Sequence, residues 1–325
     1  MAQAVRINGA GGPEVLSIAE VGDPVAGPNE VIIDVAAAGL NRADCLQRRG
    51  FYPAPEGVVA DIPGLEFSGS VRKAGAGVTR WVAGDRVMGI CAGGAMSTRI
   101  AAHEETLLPV PADMSLTDAA AIPEVFMTAY DALAQSELRV GKRVLIHAAG
   151  SGVGTAAIQL VKRAGATAIG TSRSEEKLVK AAALGLSGQI LVTEQRFAKE
   201  LKSLEGGGAD IILDFIGAAY LLENLKALAS QGTLVVIGLL GGVAAELPLG
   251  LLLAKRARVV GTVLRSRSHA EKAALARDFA AEVLPGFASG ELVPVIDRVM
   301  PMTEIAEAHR YLESNASFGK VVMAW

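Results

Sequence analysis

Residues 148–154 (AAGSGVG) join a strand-like run, 143–147 (RVLIH), with an apolar centre to a segment carrying Ile158 and Val161 at helical spacing. A strand that enters a glycine-rich turn and leaves as a helix offers an anion two things. Its first N–H groups are not yet committed to the helix ladder, and the positive end of the helix dipole lies there. Gly152 and Gly154 let backbone approach a diphosphate closely, so Ser151, Gly152, Val153 and Gly154 form a candidate cradle. Ser151 stands where the G-x-G-x-x-G pattern commonly has glycine, and its hydroxyl and N–H are candidate phosphate donors. The same kind of turn also serves tight strand–helix packing, so the motif alone leaves both uses open.

About 20 residues beyond such a turn, an NAD-binding unit places an Asp or Glu on the ribose 2′-hydroxyl. This chain has Ser172 and Arg173 there, with Lys177 one helical turn on. A guanidinium and an ammonium complement a 2′-phosphate. As plain solvated charges at a helix start they would oppose its dipole, a small cost that favours the ligand role. Turn and charges together predict NADPH as the cofactor.

The elements that must hold these residues follow from periodicity. Residues 1–122 read as short strands punctuated by glycine and proline turns, a compact β-rich domain. From Pro123 the period changes to a helix over 123–135, then strands alternate with helices. Strands are expected at 144–148, 168–171, 189–192, 211–214, 234–237 and 259–263, with helices near 154–165, 174–184, 196–204 and 219–229. This is an α/β pattern, a doubly wound parallel sheet with its ligand crevice at the carboxyl ends of the strands. A tail follows: helix 269–287, strand 295–299, helix 303–314 and strand 320–324. It is expected to return to the first domain, so 1–122 and 264–325 form one domain and 123–263 the nucleotide-binding one.

Composition narrows the classes. The chain has 325 residues, 51% hydrophobic and 4% aromatic, with a net charge of −3. No basic stripe with interleaved aromatics marks a nucleic-acid surface. The longest candidate for a membrane span, 232–253, is broken by glycines, Glu246 and Pro248. The first residues lack a signal-peptide core, and two cysteines make no disulfide framework, so a cytoplasmic protein is expected.

The runs 38–44 (AGLNRAD), 63–69 (PGLEFSG) and 84–87 (GDRV), with 119–123 (AAAIP), 148–154 and 318–322 (FGKVV), resemble the medium-chain dehydrogenase/reductase superfamily over nearly the whole chain. The likeness is nearest to its zinc-free quinone oxidoreductases. Within them it points to the tumour-suppressor-inducible NADPH:quinone oxidoreductase subgroup, through 41–44 (NRAD), Gln47, Arg48, Phe51, Tyr52, Ser151 and 264–267 (LRSR). The resemblance implies a GroES-like substrate domain built from both chain ends, with a Rossmann domain between them. Zinc-dependent relatives carry Cys where Asn41 stands and Gly-His-Glu where this chain has Gly64, Leu65 and Glu66. Cys45 lies too far along to substitute, and Cys45, Cys91, His103 and His147 lack ligand spacing, so no metal is expected.

Without zinc, hydride transfer to an electron-poor acceptor remains, and a quinone or enone fits. The resemblance implies that Asn41 donates an amide hydrogen bond to the developing oxyanion, and that Tyr52 supplies a second donor, a proton, or a ring beside the nicotinamide. Asn41 could equally cap its turn, and Tyr52 could pack its loop. The same resemblance implies cofactor contacts from Thr128, Phe215, Ile216, Gly238, Leu239, Leu264 and Lys320. Val192 stands where the subgroup often has Tyr. A homodimer through the edge strand at 258–263 is the usual assembly. The leading expectation is an NADPH-dependent quinone reductase. The alternatives are a reductase of α,β-unsaturated carbonyls and a non-catalytic NADPH-binding protein.

Overall fold

A computed structural model describes residues 1–325. The chain forms two compact units, Met1–Met127 with Leu264–Trp325, and Thr128–Val263. The helix Pro123–Gln135 spans the division. Its first turn stays with the first unit, where the Phe126 ring meets Phe287 of the C-terminal segment edge-on at 4.8 Å. No helix is long and apolar enough to cross a membrane.

In the second unit six parallel strands run in the order Leu186–Leu191, Thr167–Ser172, Arg143–Ile146, Ala209–Asp214, Leu228–Val236, Arg258–Gly261. In chain order that is 3-2-1-4-5-6, the doubly wound arrangement, and the winding reverses between its first and fourth strands. The central strands are continuous apolar runs because helices cover both faces: Val144, Leu145, Ile146, Ile211, Ile212 and Leu213 are all buried. Helix Gly152–Arg163 turns Ala156, Ala157, Ile158 and Val161 inward, and Lys162 and Arg163 close it where cations suit the dipole.

In the first unit a seven-stranded sheet is built around Glu30–Leu40, which pairs antiparallel with Lys320–Ala324, Glu66–Ala74 and Arg99–His103. The registers set Val321 opposite Leu40 and Phe67 opposite Ala38. The last residues of the central strand are thus flanked by the first residues of two neighbours, Lys320 and Glu66. That convergence positions the polar centre described below.

Two expectations about elements are corrected. The helix expected over 269–287 is two helices, His269–Glu282 and Leu284–Ala288, because Pro285 cannot donate to the ladder and crowds the preceding turn. The glycine-rich run after the fifth strand of the parallel sheet, left without an element, contains the short helix Leu249–Lys255.

Candidate active site

Each unit contributes a distinct set of polar groups. In the second, strand Arg143–Ile146 runs into a turn in which Ala148 holds φ +46°, an uncommon backbone for a residue with a Cβ. Ser151 then caps helix Gly152–Arg163: its hydroxyl accepts the Gly154 N–H at 3.0 Å. The Ser151 N–H is also taken, donating to Ala148 O at 2.8 Å. That corrects the expectation of a phosphate donor at the Ser151 N–H, though not at its hydroxyl. The hydroxyl keeps one hydrogen to donate, and the N–H groups of Gly152 and Val153 meet no protein acceptor. Gly154 is required by sterics, since a Cβ would lie 2.5 Å from Ala148 O. The packing role and the open amides therefore coexist.

The second strand, Thr167–Ser172, ends at a tight turn where Ser172 Oγ accepts the Ser174 N–H at 3.0 Å. Ser174 caps helix Glu175–Ala182, with half-buried Lys177 in its first turn. Arg173 is exposed and forms no ion pair. Val192 is buried in the apolar core of this unit beside Phe197 and Ile190.

Across the winding reversal, the Phe215–Gly217 turn is fixed by a buried chain that the sequence reading missed. His147 Nε2 lies 2.6 Å from Asn224 Oδ1, and its Nδ1 lies 2.8 Å from Thr171 Oγ1. Asn224 Nδ2 donates to Asp214 Oδ2 at 3.0 Å, and Asp214 Oδ1 accepts the N–H groups of Ile216 (2.7 Å) and Gly217 (3.1 Å). Burial pushes the His147 imidazole down to about 4 and the Asp214 carboxyl up to about 6. A neutral imidazole with Nε2 protonated satisfies both contacts. Gly238 packs against this turn, where a Cβ would lie 2.9 Å from Phe215 O. Phe215 is buried, Leu239 is exposed, and Thr128 is half-buried in its helix.

In the first unit, Asn41 follows the central strand and precedes helix Arg42–Arg48. Its N–H donates to Asp44 Oδ2 at 2.8 Å, and Asp44 Oδ1 accepts the Gly64 N–H at 2.9 Å. The Asn41 amide nitrogen donates to Glu66 Oε1 at 2.9 Å and to Gly39 O at 3.2 Å, while its Oδ1 accepts from Lys320 Nζ at 2.8 Å. Lys320 Nζ also donates to Leu40 O at 3.0 Å and pairs with Glu66 Oε1 at 2.6 Å. Glu66 Oε2 accepts the Glu124 N–H at 2.8 Å. Glu66 is 0% exposed and Lys320 3%. A Cβ on Gly39 would drive into the Glu66 carboxylate.

Two expectations change here. Both amide hydrogens of Asn41 are committed, so its donor is not free for an oxyanion. All three ammonium hydrogens of Lys320 are committed as well, so this residue completes the cluster instead of reaching for a cofactor. Leu264, expected at the cofactor, is buried within the first unit. Tyr52 differs from all of these: its hydroxyl has no protein partner, and its ring lies 4.9 Å from the Arg265 guanidinium. Burial, and then the charge of Glu124, raise the Tyr52 phenol, with Arg265 acting in the opposite direction. Burial likewise pushes Asp44 up to about 6 and Glu124 up to about 8, the latter with help from the Glu66 charge.

The surroundings of both thiols disfavour the thiolate. Burial pushes Cys45 and Cys91 each up to about 12. His147 is buried in the second unit, apart from Cys45, Cys91 and His103 in the first. His103 instead meets Glu105 and His269 at the surface of its own unit, the three ligand atoms within 4.8 Å of one another.

Residues 27–112 match the alcohol dehydrogenase GroES-like domain, and 152–281 match the zinc-binding dehydrogenase family. The chain is 31% identical to quinone oxidoreductase-like protein 2 of Mus musculus over 316 residues, 95% of this chain and 89% of that protein. A quinone oxidoreductase of Pseudomonas syringae pv. Tomato DC3000 superposes with a TM-score of 0.90 at 32% identity, covering 100% of both chains. The Escherichia coli quinone oxidoreductase complexed with NADPH superposes with a TM-score of 0.89 at 29% identity, covering 99% of this chain and 100% of that one.

Proposed function

The chain belongs to the medium-chain dehydrogenase/reductase superfamily, and on that basis we propose that it is an NADPH-dependent quinone reductase working without zinc. One observation carries the cofactor assignment: a glycine turn with unmet amides, followed one strand later by the exposed, unpaired Arg173. The Gly152 and Val153 N–H groups bind the diphosphate, and Arg173 binds the 2′-phosphate. The Phe215–Gly217 turn and Gly238, held by the His147 chain, wall the nicotinamide side. The bound cofactor supplies the hydride.

Zinc does not fit the residues at the family's metal position. An amide stands for the thiolate, buried Leu65 stands for the imidazole, and Glu66 is already paired with an ammonium at 2.6 Å. A zinc ion would have to displace that fixed cation, so no step runs through metal. The Tyr52 hydroxyl, the one uncommitted donor among the expected catalytic residues, gives a hydrogen bond or proton to the acceptor oxygen. Asn41 and Lys320 act earlier in the chain of support, holding Glu66 and the strand ends in place.

A second reading, reduction of α,β-unsaturated carbonyls, is favoured by Glu124. Its carboxyl, raised to about 8, carries a proton near Tyr52 at neutral pH and could replenish it. NADPH oxidation measured across ortho-quinones, para-quinones and enals, with semiquinone followed by electron spin resonance, separates the readings. Faster turnover of quinones supports the first and faster turnover of enals the second. Tight NADPH binding with no turnover of any acceptor overturns both in favour of a binding protein.

We also propose a cytoplasmic homodimer. The edge strand Arg258–Gly261 exposes Val259 (40%), and the neighbouring helix Leu249–Lys255 exposes Leu253 (79%), an apolar margin suited to pairing with a second copy. Light scattering on Val259→Lys against the unmodified chain tests this, monomers being the expected result.

A further inference from the structure

The chain re-enters the first unit at Leu264, and the next residue is an almost fully buried arginine. Arg265 Nε donates to Ala92 O at 2.7 Å, Nη1 to Tyr52 O at 3.0 Å and Pro53 O at 3.4 Å, and Nη2 to Gln47 Oε1 at 2.7 Å. Gln47 passes the contact on, its Nε2 donating to Ala60 O at 2.8 Å. One guanidinium therefore ties the end of helix Arg42–Arg48, the loop carrying Tyr52 and the Ala92 turn. It also lies over the Tyr52 ring, 4.9 Å from the ring centroid.

No carboxylate pairs with this cation. Its acceptors are three carbonyls and an amide oxygen, and its charge is spent on the face of one phenol. A lysine would supply charge in the same volume, but not donors diverging in one plane toward three segments. We propose that Arg265 is a positioning residue for Tyr52. It fixes the ring's height and tilt through the backbone of Tyr52 and Pro53, with its own charge over the face of the ring. The charged groups acting on the phenol are Glu124, which raises it, and Arg265, which lowers it. This rests on the reading that Tyr52 serves the acceptor.

The test uses the full chain with NADPH and a para-quinone, comparing Tyr52→Phe, Arg265→Lys, Arg265→Gln and the double variant Tyr52→Phe with Arg265→Lys. Arg265→Lys keeps charge and bulk and guards against a misfolded Arg265→Gln. The expected result is a fall in kcat of about tenfold or more for Arg265→Lys, with KM for NADPH nearly unchanged. The double variant should be no slower than Tyr52→Phe alone, because the second loss is contained in the first. Ultraviolet titration of tyrosinate should show one phenol titrating higher in Arg265→Gln, and none of that change in the Tyr52→Phe background. If Tyr52→Phe is slow but Arg265→Lys matches the unmodified chain, or if the two losses multiply, the positioning role is overturned while Tyr52 keeps its own. If Tyr52→Phe turns over normally, the Tyr52 reading itself fails, and this inference with it.

Discussion

The Asn41–Lys320 cluster of the first unit and the glycine turn of the second organise their polar groups in opposite ways. In the first, buried Asp44, Glu66 and Lys320 and half-buried Asn41 satisfy one another, down to each hydrogen on the Lys320 ammonium. In the second, the His147 chain is satisfied in the same way, but at the glycine turn and the end of the next strand the Gly152 and Val153 amides and the Arg173 guanidinium are left without protein partners. A closed set resists change and holds shape, whereas an open set has capacity for a ligand. The location of charge is therefore a poor guide to where binding occurs. What matters is whether the hydrogen-bonding valences around it are already filled.

Lys320→Met should break the comparison most severely. It strands the Glu66 carboxylate in a buried site, and losing one partner of a buried pair costs about 3–5 kcal/mol. Urea unfolding should show that loss, with NADPH affinity in the surviving folded fraction nearly intact. An unchanged midpoint would mean that the closed set contributes nothing to holding the fold. Arg173→Ala should do the reverse, weakening NADPH by about tenfold to a hundredfold while leaving NADH and thermal stability alone. Equal losses for the two dinucleotides would sink the 2′-phosphate assignment.

Glu124→Gln probes the border of the closed set. The folded carboxyl is raised to about 8 from its ordinary 4.5, so the folded chain keeps a proton that the unfolded chain has released between those values. Stability from this group is complete below about 4.5 and is lost as pH rises through 8, on the order of 1 kcal/mol after screening. The unmodified chain should therefore decline relative to Glu124→Gln across that window in unfolding midpoints, and parallel curves would refute the assignment. Ser151→Ala should have the smallest effect, about 0.5–1 kcal/mol from a lost helix cap, with NADPH binding weakened far less than by Arg173→Ala. A larger binding loss would show that the serine hydroxyl serves the phosphate more than the helix.

The open set was legible in the sequence because it is local. The glycine turn occupies seven consecutive residues, and Arg173 follows at the distance one strand and one helix impose. The closed set was not legible as a set: Asn41 and Lys320 stand 279 positions apart and meet only through a strand register. Both were picked out by family likeness, which identified the residues but not that Lys320 would donate to Asn41 and that both would donate to Glu66. The His147 chain was missed for the same reason, since Thr171 and Asn224 come to it from other elements. Pro285, by contrast, announced the break between the last two helices of its segment, and a strict reading of proline would have placed it.

The raised thiols have a consequence for the chemistry proposed here. Quinones and enals are soft electrophiles that add to thiolates and to free amines. Cys45 and Cys91, each pushed to about 12, remain protonated at neutral pH, and Lys320 has no lone pair to offer while its ammonium is held by three acceptors. If the acceptor is the quinone or enal proposed, these groups of the first unit are poorly placed to be alkylated by it. The burial that holds the polar centre together thus also shields its nucleophiles.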